Sequence, residues 1–241
     1  MPTLETNFEK TDFFRKNKNF DIVIVGSGPA GAVIASELVM KGRHVALLEA
    51  GGRLPETDFS KFFEFIGQKN SLLNFGMSWQ LGGTSNLWAG RCAPMDKYDI
   101  SESRGWPFER QKLNEYYAYA SRFLGLEPWE RVEQILGVSG KQAEWSELID
   151  DDNWIETKFQ WNRPCFNARP FLENLANKNK NFWVLLNSRA LTLSSEHPGP
   201  RIKALDVAIE KDERFSISAR AYVLACGGIE IPRIILNSNR I

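Results

Sequence analysis

The chain is predicted to be an α/β protein with a parallel sheet, a β-hairpin or meander element and an inserted segment. Three observations predict it. Two short apolar, β-branched runs, Asp21–Val25 and His44–Leu48, flank a glycine-rich turn and a helical pattern. Two alternating stretches, Lys203–Ile209 and Arg214–Ser218, surround Lys211-Asp212-Glu213 in the manner of a hairpin. A late apolar strand, Ala219–Ala225, runs into Cys226-Gly227-Gly228 and a second helical pattern.

Asp21-Ile-Val-Ile-Val25 reads as a buried parallel strand, because it is apolar without alternation. Gly26-Ser-Gly-Pro-Ala-Gly31 follows at once. Ala32–Lys41 places Val33, Ile34, Leu38 and Val39 at helical spacing, and Gly42 stops the helix. His44–Leu48 is the second buried strand and ends in Glu49-Ala50-Gly51-Gly52. Together these form a βαβ unit of about thirty residues, the size such units have. Beyond it, Phe59, Phe62, Phe63 and Phe65 cluster, Ser103–Phe108 reads as a loop, and Leu113–Leu124 reads as an amphipathic helix. Asp150-Asp151-Asp152 suits a solvated turn. Trp183–Leu186 and Ala190–Leu193 are short strand signals. Ile229–Leu236 reads as a helix, with Pro232 in its first turn and Asn237 as its C-cap.

Composition narrows the function. The 30 Lys and Arg balance the 30 Asp and Glu, which leaves none of the basic excess that a phosphate-neutralising nucleic-acid binder uses. Hydrophobic residues at 43% argue against disorder. Cys92, Cys165 and Cys226 are odd in number and far apart, and so are His44 and His197. This pattern supplies neither a disulfide framework nor a zinc site. Met1–Phe20 is a polar arm without the apolar run of a signal peptide, and no stretch is long enough for a membrane span. The expected location is the cytoplasm.

Three glycine sites carry the chemistry. In Gly26-x-Gly28-x-x-Gly31, Gly26 permits a tight turn, Gly28 lets a pyrophosphate approach the backbone, and Gly31 lets helix and strand pack closely. The helix N-terminus offers free N–H groups to phosphate. Glu49, closing the second strand, suits a ribose diol, so the unit reads as a Rossmann-like dinucleotide fold. The second site, Gly82-Gly83-Thr84-Ser85, suits a helix start where Thr84 or Ser85 caps the backbone or touches phosphate; taken alone, an ordinary N-cap is the better reading. Trp88 after it, taken alone, fits a core position better than a cofactor wall. The third, Tyr222–Gly228, places small residues at a strand's carboxyl end, where either a ligand or close helix packing explains them.

In this order the three sites resemble the glucose–methanol–choline (GMC) family of FAD-dependent oxidoreductases. Asp21–Gly52 resembles the family's FAD fingerprint, Gly82–Gly90 its second glycine signature, and Ala221–Leu236 its late strand–glycine–helix segment. Trp88-Ala-Gly-Arg-Cys92 and Gly105-Trp-Pro107 look like the branch with pyranose oxidases and sugar-acid dehydrogenases. The resemblance implies FAD as cofactor, with Gly26, Ser27, Gly28, Pro29, Ala30 and Gly31 as the pyrophosphate loop. It implies Glu49 as the ribose acid with Ala50 beside it, and Gly83, Thr84, Asn86, Leu87, Trp88 and Ala89 along the pyrophosphate and flavin. Ala190 falls where backbone holds adenine, and Ala225 and Gly227 match the late strand near the cofactor. Leu87 stands where pyranose oxidases carry a flavin-linked histidine, so non-covalent flavin is expected; Trp79 stands where relatives often have a basic residue.

The family's catalytic histidine lies in a C-terminal half expected to be absent from this chain. Neither His44 nor His197 matches it, so no catalytic base is nominated. Trp161, Arg163 and Phe166 fit either the substrate side or aromatic core packing. The expected organisation is an arm at 1–20, a discontinuous FAD-binding domain at 21–100 and 183–241, and a partial substrate-side insert at 101–182. The implied function is the FAD-binding portion of an oxidoreductase that oxidises a small-molecule alcohol or sugar once completed by a second half. Two alternatives stay open: a truncated, non-catalytic FAD-binding fragment, and another flavoenzyme class sharing only the first fingerprint. The resemblance leaves substrate, electron acceptor and oligomeric state open.

Overall fold

The computed structural model describes residues 14, 16, 20–56, 76–95, 99–128, 159–195, 201–209 and 213–238. Most of the N-terminal arm, the Phe59–Phe65 cluster, Asp150–Asp152, His197 and the hairpin tip Lys211-Asp212 lie outside them. The chain divides into two compact units, one of residues 1–87 and 167–241 and one of residues 88–166.

The first unit is built on four parallel strands in the order β3-β2-β1-β7. They are β1 (Phe20–Val25), β2 (Val45–Leu48), β3 (Phe182–Leu185) and β7 (Ala219–Leu224). β1 is paired on both sides, with Ile22 opposite Val45 of β2 and Ala221 of β7. All four residues of β2 are buried, which explains its unbroken apolar run. Helix α1 (Pro29–Met40) packs against β1 and β2. It starts earlier than the apolar spacing indicates, because Pro29 suits a first turn where no N–H is required. It ends as expected at Gly42, which adopts φ +73° and donates to the Val39 carbonyl at 2.9 Å.

A second sheet, antiparallel in the order β4-β5-β6, comprises β4 (Arg189–Ser195), β5 (Ile202–Ala208) and β6 (Arg214–Ile217). β5 and β6 form the expected hairpin, with Leu205 opposite Ile217. Val23, Val25, Ala46, Leu48 and Leu185 of the parallel sheet share one core with Leu205, Val207 and Ile217 of the antiparallel sheet. Helix α4 (Gly227–Asn237) contributes Ile234 to that core. The N-terminal arm is not wholly polar and exposed: Phe14 is buried, with its ring centroid 5.6 Å from that of Phe20.

Two local expectations are corrected. Because α4 begins at Gly227, Pro232 lies in its second turn, where its missing N–H withholds the helical donor from the Gly228 carbonyl. The C-cap is Ser238, one residue beyond Asn237.

Residues 167–182, expected to end the insert, belong to the first unit. Helix α3 (Ala168–Lys178) buries Leu172 and Leu175 and packs on α1 and β3. Its N-cap, Asn167, accepts from the Arg169 N–H at 2.9 Å. In the second unit, helix α2 (Asn114–Leu124) ends at Gly125 in a left-handed cap. The Phe123 and Phe166 rings meet at 4.9 Å, so Phe166 takes the packing role. Trp161 is exposed and lies beneath the Arg91 guanidinium at 6.0 Å. No helix among the described residues is long and apolar enough to cross a membrane.

Candidate functional site

The four parallel strands end at one level. Gly26 N–H bonds Leu48 O and Ala225 N–H bonds Val25 O, both at 2.8 Å, and Glu49 N–H bonds Leu185 O at 2.9 Å. β1 leads through α1 to β2 on one side, while β7 pairs it on the other, so the chain direction switches there. In open α/β sheets this is where ligands bind. A cavity of about 610 Å³ opens at that point, lined by Gly26–Ala30, Glu49, Ala50, Gly83, Thr84, Ala190 and Ala225–Glu230, among others. Its size is that of a small-molecule or cofactor site.

The three fingerprint glycines have different jobs. Gly26 adopts φ +101°, and a Cβ there would lie 2.6 Å from the Ala225 carbonyl oxygen. A Cβ on Gly31 would run into the Gly26 carbonyl. Both are therefore required by the protein's own packing. Gly28 is not: its φ is −64°, and a Cβ would meet nothing within 4 Å. The space above Gly28 belongs to the cavity. Behind it the first turn of α1 has neither a side-chain cap nor an acidic residue, so its N–H groups are available to an anion. Helix α4 also lacks a side-chain cap, its second residue, Gly228, is equally open, and the acid in its first turn, Glu230, is paired with Arg233. Two uncapped helix starts at one cavity fit a pyrophosphate-bearing ligand.

Glu49 is 7% exposed. One carboxylate oxygen accepts from the Ser27 N–H at 3.1 Å and the Ser27 hydroxyl at 2.5 Å; the other accepts from the Gly51 N–H at 3.1 Å. The Ala50 backbone also hydrogen-bonds this carboxyl, so the protein holds Glu49 through several donors on both oxygens. Burial pushes the Glu49 carboxyl above its ordinary value, against the pull of those donors. The Ser27 hydroxyl also accepts from the Gly82 N–H at 2.8 Å, which ties Glu49 to the second glycine turn. Ser27 lines the cavity with its N–H and hydroxyl both engaged in this bridge.

The second glycine segment forms a 3₁₀ turn, Gly83–Asn86, with Gly82 at φ +94° as its cap. Neither Thr84 nor Ser85 caps it through a side chain. The Ser85 hydroxyl donates to the Gly82 carbonyl at 2.6 Å and accepts from the Ala168 N–H at 2.9 Å. Gly83 and Thr84 reach the cavity, and Gly83 packs closely on Gly28. Asn86 does not line it: its amide donates to the Leu81 and Gly83 carbonyls and its oxygen accepts from Asn167. Leu87 is exposed and off the wall, and Trp88 and Ala89 belong to the second unit. There the Trp88 indole donates to the Phe166 carbonyl at 2.8 Å.

Several wall residues were missed from the sequence. Gly76–Trp79 contributes, with Trp79 buried beside Gly51. Cys226 lies between the two glycine sites, its thiol pushed up to about 11 by burial. Arg189 and Glu230 also line the wall. Glu230 pairs with Arg233 three residues on, a spacing visible in Glu-Ile-Pro-Arg but not singled out. His44 is exposed, 5.7 Å from the Trp183 ring, and does not line the cavity. Among the described residues no group of three His, Cys, Asp or Glu could hold a metal.

Comparison with known proteins agrees with this geometry. Residues 24–89 match the model of an NAD(P)-binding Rossmann-like domain. The chain is 26% identical over 271 aligned positions to paromamine 6'-oxidase of Streptomyces fradiae, covering 91% of this chain and 49% of that one. Its fold is similar to that of pyridoxine 4-oxidase from Mesorbium loti, with TM-score 0.58 and 19% identity over 89% of this chain and 50% of that one. It is also similar to a fungal aryl-alcohol oxidase, with TM-score 0.52 and 12% identity over 92% and 48% of the two chains. The chain thus spans about half the length of the relatives it matches. The Rossmann-like match and the curated oxidase relative agree with the resemblance to the glucose–methanol–choline family that the motif order carries, and the two solved structures share the chain's fold.

Proposed function

We propose that the chain is the FAD-binding portion of an oxidoreductase that acts on the CH–OH group of a small-molecule alcohol or sugar. One observation carries the reading: the space above Gly28 opens onto two uncapped helix starts, with the buried Glu49 carboxylate on the same wall. The relatives support it, since all three are named as oxidases and one as an aryl-alcohol oxidase. FAD is preferred to NAD because nicotinamide Rossmann domains lack counterparts of the second and third glycine sites.

In this reading the α1 and α4 N-termini hold the pyrophosphate and Glu49 accepts from the adenosine ribose. The Ala190 backbone meets adenine, and Gly83 and Thr84 run toward the flavin. When bound, the flavin supplies hydride acceptance at N5. The chain's residues bind and orient it. Both carboxylates on the wall are committed to hydrogen bonds, so neither is assigned as the base. The part of the insert that stays in the second unit, residues 101–166, is read as the start of a substrate side.

The test is absorbance and fluorescence of the purified chain, followed by acid precipitation. Flavin released entirely into the supernatant is expected, because Leu87 has no nucleophilic atom. Bound NAD without flavin in folded protein would overturn the cofactor assignment. Yellow colour retained in the washed pellet would overturn non-covalent attachment.

A further inference from the structure

Among the described residues β4 is an edge strand, paired only with β5. Two α4-end side chains serve its backbone. The Arg233 guanidinium donates to the Ala190 carbonyl at 2.7 Å, and the Ser238 hydroxyl accepts from the Leu193 N–H at 2.8 Å. Arg233 is itself held, since Nε and Nη2 both donate to one Glu230 oxygen, at 2.9 and 2.7 Å. The pair is largely withdrawn from solvent, with side-chain exposures of 21% and 13%. Upstream, the Ser188 N–H donates to the Glu49 backbone carbonyl at 2.8 Å. The segment carrying Ala190 is therefore fastened at one end to Glu49 and at the other to α4.

Ala190 has no polar side chain, so any polar recognition of a ligand there uses its backbone. Backbone recognition is only as selective as the strand is fixed. Arg233 takes one of the two acceptor sites of the Ala190 carbonyl, and β5 pairs the same residue opposite Val207, so this backbone is held from two sides. A charge-assisted bond from a guanidinium is a strong restraint on a peptide plane. Glu230 cancels the charge of Arg233, so the clamp fixes the strand without adding net charge to the wall.

We propose that the Glu230–Arg233 pair is a positioning device for the adenine half of the cofactor, and that it sets the preference for an adenosine-bearing ligand over a flavin mononucleotide. The proposal rests on the dinucleotide reading of the cavity. Arg233 acts through Ala190 and touches no reacting atom.

The experiment titrates the full chain with FAD, ADP and FMN, comparing wild type with Arg233→Met, Arg233→Lys and Glu230→Gln. Arg233→Met is expected to weaken FAD and ADP about tenfold, the usual scale for a lost charge-assisted bond, while FMN is unchanged. Arg233→Lys keeps one donor and should restore part of the ADP affinity. Glu230→Gln frees Arg233 from its ion pair and should weaken ADP by about threefold, again sparing FMN, which keeps the test open if Arg233→Met fails to fold. Equal losses for ADP and FMN would overturn the proposal, because a merely structural role moves both. Unchanged ADP affinity in folded variants would overturn it as well. Wild-type chain that binds neither FAD nor ADP would overturn the dinucleotide reading and the clamp together.

Discussion

Gly28 and Gly31 sit three residues apart in one turn, yet alanine should affect them in opposite ways. At Gly31 a Cβ would run into the Gly26 carbonyl oxygen, with its carbon at 3.1 Å and the Ala225 side chain at 3.6 Å. The obstacle is backbone, so relief requires moving α1 away from β1. Overpacking of this kind costs about 1–3 kcal/mol, and a rigid backbone obstacle puts it at the upper end. At about 2–4 °C per kcal/mol for a chain of this size, Gly31→Ala should lower Tm by about 6–12 °C. At Gly28 the backbone conformation is open to any residue and the Cβ meets nothing. The weaker N-cap there is offset by the roughly 0.4–1 kcal/mol gained from a less flexible unfolded chain, so Tm should stay within about 2 °C. The same methyl nevertheless occupies the cavity before the first turn of α1. Dinucleotide affinity should fall about a hundredfold, and further for Gly28→Val. Thermal melts by circular dichroism without ligand, paired with FAD titration, read both effects. Wild-type FAD affinity in Gly28→Ala, or a wild-type melt in Gly31→Ala, would refute the division of labour between the two glycines.

Ser27→Ala strips the Gly82 N–H of its acceptor and Glu49 of one donor, both buried. The expected cost is about 1–3 kcal/mol, seen as a Tm drop of about 2–12 °C; an unchanged melt would show the bridge to be idle. Glu49 should give opposite pH trends for folding and binding, because burial raises its carboxyl above the ordinary value of about 4.3 in the folded chain. The stability it contributes is complete below the unfolded value and is lost as pH rises through the raised one. Dinucleotide affinity should rise over that same interval, since ribose hydroxyls donate to the ionised form. Glu49→Gln should flatten the affinity profile measured by titration across pH; a slope identical to wild type would exclude Glu49 as its origin.

The βαβ unit, the hairpin and the late strand–glycine–helix segment were legible because each is a local pattern. Apolar runs mark buried strands, and glycine spacing marks turns whose geometry few other residues satisfy. Glu49 was legible for the same reason, as the acid closing the second strand of a recognisable unit. Residues alone therefore determined the class of fold and marked Gly26–Ala30 and Glu49, which line the cavity at the strand ends. Tertiary structure decided what depends on partners distant in sequence. Ala221 pairs with Ile22 across nearly two hundred residues, and this pairing creates the crevice into which Cys226, Gly228 and Glu230 project their backbone or side chains. A hydroxyl has no intrinsic direction, so Ser27 could be assigned to the Glu49–Gly82 bridge only once those groups were in place. The Arg233–Ala190 bond joins a helix to a strand that is adjacent only after folding. The openness of Gly28 and the crowding of Gly31 were indistinguishable as letters, because both are glycines in one motif; only the atoms packed around them separate a residue kept for a ligand from one kept for the fold.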